Sequence, residues 1–346
     1  MRILIYGAYG YTGKLVVNEA MRKGLKPTVS GRDFKQLEQL AEETGLEFLT
    51  LPLDKEEVLC SALEHFDVVI HCAGPFSETA EPMVQACIAS KCHYLDITGE
   101  YEVFEMILKH DKGAKEAGVM LLPGAGFDVV PSDCLAAYLK SQLPSATQLT
   151  LAFAGLGAGI SRGTMKTMVQ NAHAGQKFRD GGLLKERKAG SSVRTIDYGE
   201  FQQLSVGISW GDISTAYFST GIPNIEVLTG TTPKQIKQMK RMYKFGWLVK
   251  TGIAQSYLQG KIDKNVSGPG YEKRAESPMF LWGQVQDGQQ TVEARLTTPN
   301  GYTLTALTSI HIAHKIMDGD FKTGYQTPST AYGEDLILEI EGCSRY

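Results

Sequence analysis

Long hydrophobic runs are missing from this sequence. No stretch of its 346 residues reaches the roughly 18 apolar residues that a membrane-spanning helix needs. An excess of one charge is missing too. Lys plus Arg number 35 against 38 for Asp plus Glu, a net charge of −3, which gives no reason to expect a nucleic-acid partner. Cysteines are few and show no paired spacing. Of Cys60, Cys72, Cys87, Cys92, Cys134 and Cys343, the two nearest are five apart, which is neither a zinc knuckle nor a redox Cys-x-x-Cys. A strand pattern starting at residue 2 leaves no room for a signal peptide, so the expectation is a reduced, cytoplasmic protein without a metal site. Repeats, low-complexity tracts and long linkers are also lacking.

What is present is an alternation. Short apolar runs at 3–6, 28–30, 48–53, 68–72, 93–97 and 119–122 read as strands buried on both faces. Helical patterns lie between them at 12–23, 35–43, 55–64, 81–90 and 101–117, opened by Asp33 or Asp54 and closed by Gly24 or Gly118. Six strands alternating with helices imply an α/β unit, a Rossmann-type doubly wound parallel sheet over residues 1–131. After Pro131-Ser132-Asp133 the pattern changes. A helix at 134–142 leads to strand-like segments at 149–154, 193–198, 203–208, 216–219, 225–228, 281–286 and 290–297, the last two flanking the turn signal Asp287-Gly288. These predict an inserted, mainly antiparallel α+β domain over 132–303. A helix at 304–317 and the tail to 346 are expected to return to the first domain.

The first strand runs into GAYGYTGKLVV, residues 7–17. Gly7 permits a tight turn, Gly10 lets backbone approach a pyrophosphate, and Gly13 lets the helix pack close to the sheet. The following helix N-terminus supplies N–H groups and partial positive charge for phosphates. The Gly-x-x-Gly-x-x-Gly spacing leans towards NADP(H). So does the end of the second strand, Ser30-Gly31-Arg32, where an NAD site would place an acid. Arg32, 22 residues past Gly10, suits a 2′-phosphate, and Asp33 reads as a helix N-cap. Asp54 follows the third strand, where it meets either an adenine edge or a helix N-terminus. Gly74-Pro75-Phe76 follows the fourth strand, its small first residue leaving room for a cofactor.

These residues, together with SGRD, CAGPF, PMVQACIASKCHYLDITGE and PGAGFDVVPSD, resemble the saccharopine dehydrogenase-like NADP-binding oxidoreductases. GAGISRGTMKTM near residue 160 is similar to that family's Gly/Ser/Thr segment. GYTLTAL and TPSTAYGEDLILEI look like the tail of its trans-acting enoyl reductase branch. The resemblance implies a reductase of C=C (enoyl) or C=N (imine) bonds. It places Gly7, Tyr9, Gly10, Tyr11, Thr12, Arg32, Asp54, Gly74 and Pro75 along the cofactor. Tyr9 and Arg162 depart from the family's usual residues.

A hydride reductase also needs a proton donor. Asp128, Glu100 and Asp133 qualify because they follow strand ends. Glu100 and Asp133 can equally serve helix starts, which leaves Asp128 as the first choice. Cys134 reads as a small buried residue and His173 as a surface or core histidine. The single Tyr-x-x-x-Lys match, Tyr257 to Lys261, is interrupted by Gly260 and lies outside the nucleotide domain. Residues 233–261 carry Lys234, Lys237, Lys240, Arg241, Lys244 and Lys250 without an acid, interleaved with apolar residues. Such a helix is either a solvated face, the favoured reading, or a contact for an anionic membrane surface or carrier protein. The partners this allows are a small-molecule, lipid-like or carrier-bound substrate and a second copy of the chain. A catalytically silent NADP(H)-binding protein and a membrane-surface accessory protein remain the alternatives.

Overall fold

The computed structural model describes residues 2–155, 161, 163, 165, 174–249 and 268–346. Arg162, His173, most of the segment near residue 160, and residues 250–261 of the basic stretch with its Tyr257–Lys261 pair lie outside them. The chain divides into two compact units, Met1–Val130 with Gly301–Ile340, and Pro131–Asn300 with Glu341–Tyr346.

The first unit holds seven parallel strands: β1 (Ile3–Tyr6), β2 (Thr28–Gly31), β3 (Phe48–Thr50), β4 (Val68–His71), β5 (His93–Asp96), β6 (Met120–Leu122) and β15 (Gly324–Tyr325). Their order is β15-β6-β5-β4-β1-β2-β3, reversing direction beside β1 as a doubly wound sheet does. All four residues of β1 and of β4 are buried, as their continuous apolar character requires. Helices α1 (Tyr11–Arg22), α2 (Phe34–Thr44), α3 (Glu56–Leu63), α4 (Phe76–Ser90), α5 (Tyr101–Leu108) and α6 (Asp111–Ala117) connect them. Asp33 caps α2 as its side chain accepts from the Gln36 N–H at 3.2 Å. Asp54 caps nothing in this way: Lys55 holds the N-cap position of α3.

Three expectations for this unit change. The helix predicted from residue 81 starts five residues earlier, at Phe76, with Pro82 inside it. Its first turn is stabilised from far along the chain, by the Glu100 carboxylate, and no local cap announces it. The helix predicted over 101–117 is broken into α5 and α6. The break sets Asp111 at the start of α6, where its carboxylate accepts the Tyr325 N–H at 2.9 Å and secures a seventh strand the sequence pattern did not show.

The second unit is a mixed sheet on the path β10-β11-β12-β7-β13-β14-β16. Its strands are β7 (Gln148–Gly155), β10 (Val193–Asp197), β11 (Gln202–Ile208), β12 (Asn224–Gly230), β13 (Met279–Gln286), β14 (Thr291–Thr298) and β16 (Ser344–Arg345). Only β12 and β7 pair in parallel on this path. A hairpin of β8 (Gln176–Asp180) and β9 (Leu183–Arg187) attaches to β12. Its Gly181-Gly182 turn has φ of 60° and 79°, the positive values a two-residue hairpin turn needs. Among the described residues, helices α7 (Val130–Gln142), α8 (Asp212–Thr220), α9 (Pro233–Val249) and α10 (Tyr271–Ala275) accompany it. The strand expected at 216–219 is the end of α8, which buries Ile213, Ala216 and Thr220 at helical spacing. A four-residue apolar run does not distinguish the two.

Returning to the first unit, α11 (Gly301–Met317) and α12 (Pro328–Tyr332) precede the tail. That tail was expected to stay with the first domain through residue 346. Residues 341–346 instead join the second unit, because Ser344 and Arg345 pair with Thr297 and Leu296 of β14. Among the described residues no helix is long and apolar enough to cross a membrane.

Candidate functional site

The glycine loop is built almost wholly from backbone. The N–H groups of Gly7 and Ala8 both donate to the Ser30 carbonyl, at 2.8 and 3.1 Å, so the loop is tied to β2 at its start. Gly7 has φ +78°, and a Cβ there would lie 2.8 Å from both the Cβ and the N of Ala73. A Cβ on Gly13 would fall 2.2 Å from the Gly7 oxygen, so this glycine is what lets α1 start against the loop. At Gly10 a Cβ would have one neighbour within 4 Å among the described residues, that same oxygen at 3.1 Å, so the space beyond is open. This is a cradle that a side chain would fill. It fits a dinucleotide pyrophosphate, which Gly10 and the N-terminus of α1 would hold, with Tyr11 and Thr12 opening that helix.

The other cofactor candidates divide by placement. The Tyr9 ring lies over Gly31, where a Cβ would meet its Cε1 at 2.5 Å, so this bulky residue is accommodated by the glycine at the end of β2. Arg32 is exposed just beyond, and Asp54 is exposed after β3. Tyr9, Arg32 and Asp54 all act electrostatically on the Tyr6 phenol, which places them around one strand-end corner; burial first, then Tyr9, pushes the phenol up to about 12. Gly74 is exposed and Pro75 takes the N-cap position of α4. Ser30 and Phe76 face inward instead. The buried Ser30 hydroxyl donates to the Leu49 carbonyl at 2.7 Å, and the Phe76 ring packs edge-on against His71. Their part is to shape the strand ends.

The loops after β5 and β6 are joined by Asp96. This fully buried carboxylate accepts the Tyr94 hydroxyl at 2.7 Å, the Thr98 N–H at 3.0 Å and the Gly124 N–H at 2.8 Å. Burial raises it to about 6 in spite of these donors. The joint brings Asp128 over Gly99, so closely that a Cβ on Gly99 would stand 2.8 Å from an Asp128 carboxylate oxygen. Burial, and next the negative charge of Glu100, pushes Asp128 up to about 7. Glu100 accepts the N–H groups of Phe76 and Ser77, both at 3.0 Å, and so sits at the N-terminus of α4. The structure thus brings Asp128 and Glu100 together. Asp133 is elsewhere, buried on α7 in the second unit, where it accepts the Ser219 hydroxyl at 2.6 Å. Cys134 beside it is buried as expected.

The first turns of α11 complete this neighbourhood; their segment, GYTLTAL, stood out in the sequence only through the resemblance, and nothing in it pointed to the site. Tyr302 packs edge-on against Tyr11 with ring centres 5.0 Å apart, beside the glycine loop. Thr305 accepts the Phe127 N–H at 3.0 Å, and Gly126 is required there because a Cβ would meet the Thr305 methyl at 2.8 Å. One helix, 178 residues from the loop after β6 and far further from the glycine loop in sequence, therefore touches both.

A doubly wound sheet with an open glycine cradle after its first strand defines the class, a dinucleotide-binding protein with a second mixed-sheet unit. Residues 3–122, which lie in the first unit, match the family model for the saccharopine dehydrogenase NADP binding domain. The chain is 26% identical over 220 residues to a saccharopine dehydrogenase-like oxidoreductase of Rattus norvegicus, covering 56% of this chain and 50% of the relative. It is 30% identical over 181 residues to a putative trans-acting enoyl reductase of Mycobacterium tuberculosis, covering 49% and 43%. It therefore spans about half the length of the curated relatives it matches. Saccharopine dehydrogenase (L-Glu forming) from Saccharomyces cerevisiae shares the fold, with a TM-score of 0.69, 12% identity, and 100% of this chain and 99% of that one covered.

Proposed function

We propose that this protein is an NADPH-dependent reductase of a polarised double bond, C=C or C=N, with Asp128 as its proton donor. The observation that carries this reading is the Asp128 carboxyl itself. It stands on the loop after β6 of the sheet whose β1 leads into the cofactor cradle, and ligands of such sheets bind outside the carboxyl ends of the strands. Its proton affinity, displaced to about 7, leaves it able to give up a proton at neutral pH.

When bound, NADPH supplies the hydride. The chain's own residues do the rest. The Gly7–Gly13 loop and the α1 N-terminus receive the pyrophosphate, and Arg32 faces the 2′-phosphate as a planar, permanently charged donor. Asp128 gives its proton to the atom adjacent to the one that accepts hydride: the α-carbon of an enoyl group, or the nitrogen of an imine. It is then recharged from solvent. The name of one relative, a putative trans-acting enoyl reductase, supports the C=C reading, and the C=N reading rests on the resemblance of the sequence motifs; a lipid-like or carrier-bound enoyl substrate is as compatible with this site as an amino-acid imine. The test is NADPH oxidation followed at 37.9 kDa chain stoichiometry across enoyl thioesters and imines, after NADPH binding has been shown by calorimetry. Turnover of one class, lost in Asp128→Asn with NADPH binding intact, supports the reading. Turnover that survives Asp128→Asn removes Asp128 from it.

A further inference from the structure

Glu100 was a candidate proton donor, but its surroundings suit a different task. Both of its carboxylate oxygens are engaged, one by the Phe76 N–H and the other by the Ser77 N–H, each at 3.0 Å. These donors open a 15-residue helix, so its positive end faces the carboxylate as well. A group held in this way is a poor proton shuttle and a well-fixed negative charge. Its own backbone is held too, as the Glu100 N–H donates to the Thr98 hydroxyl at 3.1 Å. The residue before it, Gly99, lies directly beneath the Asp128 carboxyl, with no room even for a methyl group between them.

We propose that Glu100 is a positioning residue: its clamped carboxylate acts as a fixed charge that keeps the proton on Asp128 until a substrate takes it. The proposal rests on the reading of Asp128 as proton donor. The groups around Asp128 agree with it. From the β5–α5 loop the charge bearing on it is that of Glu100, which acts with burial to raise its proton affinity. Asp96 at the end of β5 is turned to Tyr94, Thr98 and Gly124. From α11 the polar groups seen at this loop are neutral hydroxyls: Thr305 accepts the Phe127 N–H, and Thr308 and Ser309 donate to the Ala125 carbonyl. Clamping Glu100 on α4 also couples the Gly74-Pro75 segment to the acid. The helix that begins where this segment ends is held by the same side chain that charges the donor's surroundings.

The experiment titrates the aspartate carboxyls of the intact protein by infrared difference spectroscopy or by NMR with carboxyl-13C aspartate, without any substrate. Wild type should show an aspartate midpoint near 7 that disappears in Asp128→Asn. Glu100→Gln keeps the size and one acceptor but removes the charge, and should lower that midpoint by about one unit, a tenfold loss of proton affinity. Glu100→Asp keeps the charge and should leave the midpoint raised. A merely structural cap would give a lower Tm in Glu100→Gln with an unmoved midpoint, and that result overturns the proposal. So does failure of both Glu100→Gln and Glu100→Ala to fold while Glu100→Asp folds. The reductase reading fails separately: if no substrate is turned over in an Asp128-dependent way, the titration still reports whether the charge acts.

Discussion

The glycine loop and the acid loops stand on the same sheet, yet they are made by different means. In the first, the candidate recognition elements are backbone groups within seven consecutive residues; Gly7 and Gly13 are required by close contacts, with Ala73 after β4 and with the loop itself, while Gly10 leaves the space beyond it open. In the second, the reactive group is a side chain whose character comes from residues brought in from β5, α4 and α11. Phosphate binding needs only correctly aimed N–H groups and empty space, which a local turn provides. A carboxyl poised near neutrality needs partial desolvation and a neighbouring charge, which only a folded surround provides.

That contrast can be broken most forcefully at Gly10. Gly10→Val should eliminate NADPH binding in a protein that still folds, since its Cβ meets only the Gly7 backbone oxygen, at 3.1 Å, while its methyls fill the cradle. Calorimetry showing normal binding by the folded variant would refute the dinucleotide reading. Gly13→Val is the control: with a Cβ 2.2 Å from the Gly7 oxygen, it should lose the fold itself.

Asp128→Asn tests the other loop. If Asp128 supplies the proton, the variant should lose about 10²–10⁴ in rate with NADPH affinity unchanged, and wild-type turnover should fall as pH rises through about 7. Stability should move as well. A carboxyl with raised proton affinity binds more protons in the native than in the unfolded chain, so its contribution is complete below about pH 4 and is lost as pH rises through about 7. At roughly 1.4 kcal/mol per pH unit, a displacement of about three units sets an upper bound of about 4 kcal/mol on what Asp128→Asn gains over wild type at pH 8, with little gain at pH 4. Some of the pH dependence should remain in the variant, because Asp96 is raised to about 6 by the same cause. Thermal melts from pH 4 to 8 separate the two.

Smaller effects sharpen the comparison. Arg32→Ala should cost NADPH about 1.5–3 kcal/mol, the range for a hydrogen bond to a charged group, and leave NADH nearly unchanged. Equal losses for both cofactors would sink its assignment to the 2′-phosphate. Smallest is the exchange of Lys237, Lys240, Arg241 and Lys244 on α9 for Gln, which retains good helix formers and should change stability by under about 0.5 kcal/mol. Wild type is expected not to co-sediment with anionic vesicles. Binding at low salt, weakened by about 1 kcal/mol per removed charge, would reverse that and direct the substrate search to lipids.

Most of the first unit was legible because its determinants repeat locally. Apolar runs of three to six residues, each followed by a helical pattern, leave little choice but a parallel sheet, and three spaced glycines after the first strand have few other uses. The second unit was less legible. The 176–187 hairpin has mixed polar and apolar strands, and 216–219 is too short to show a period, so only packing decided hairpin and helix. The start of α4 was hidden for a related reason: its capping group lies 24 residues downstream.

By itself the sequence pointed to a glycine loop suited to the phosphates of a dinucleotide and to Arg32 just beyond the second strand, because both readings depend on residues adjacent along the chain. It named Asp128, Glu100 and Asp133 by their places after strand ends, and put Asp128 first only because the other two could serve helix starts. What surrounds each of them came from the tertiary structure. It set Asp133 against Ser219 in the other unit, bound Glu100 to two helix N–H groups, and left Asp128 over Gly99 with a charge beside it. Proton affinity is a property of surroundings, and those surroundings come from distant segments that meet only when the chain folds.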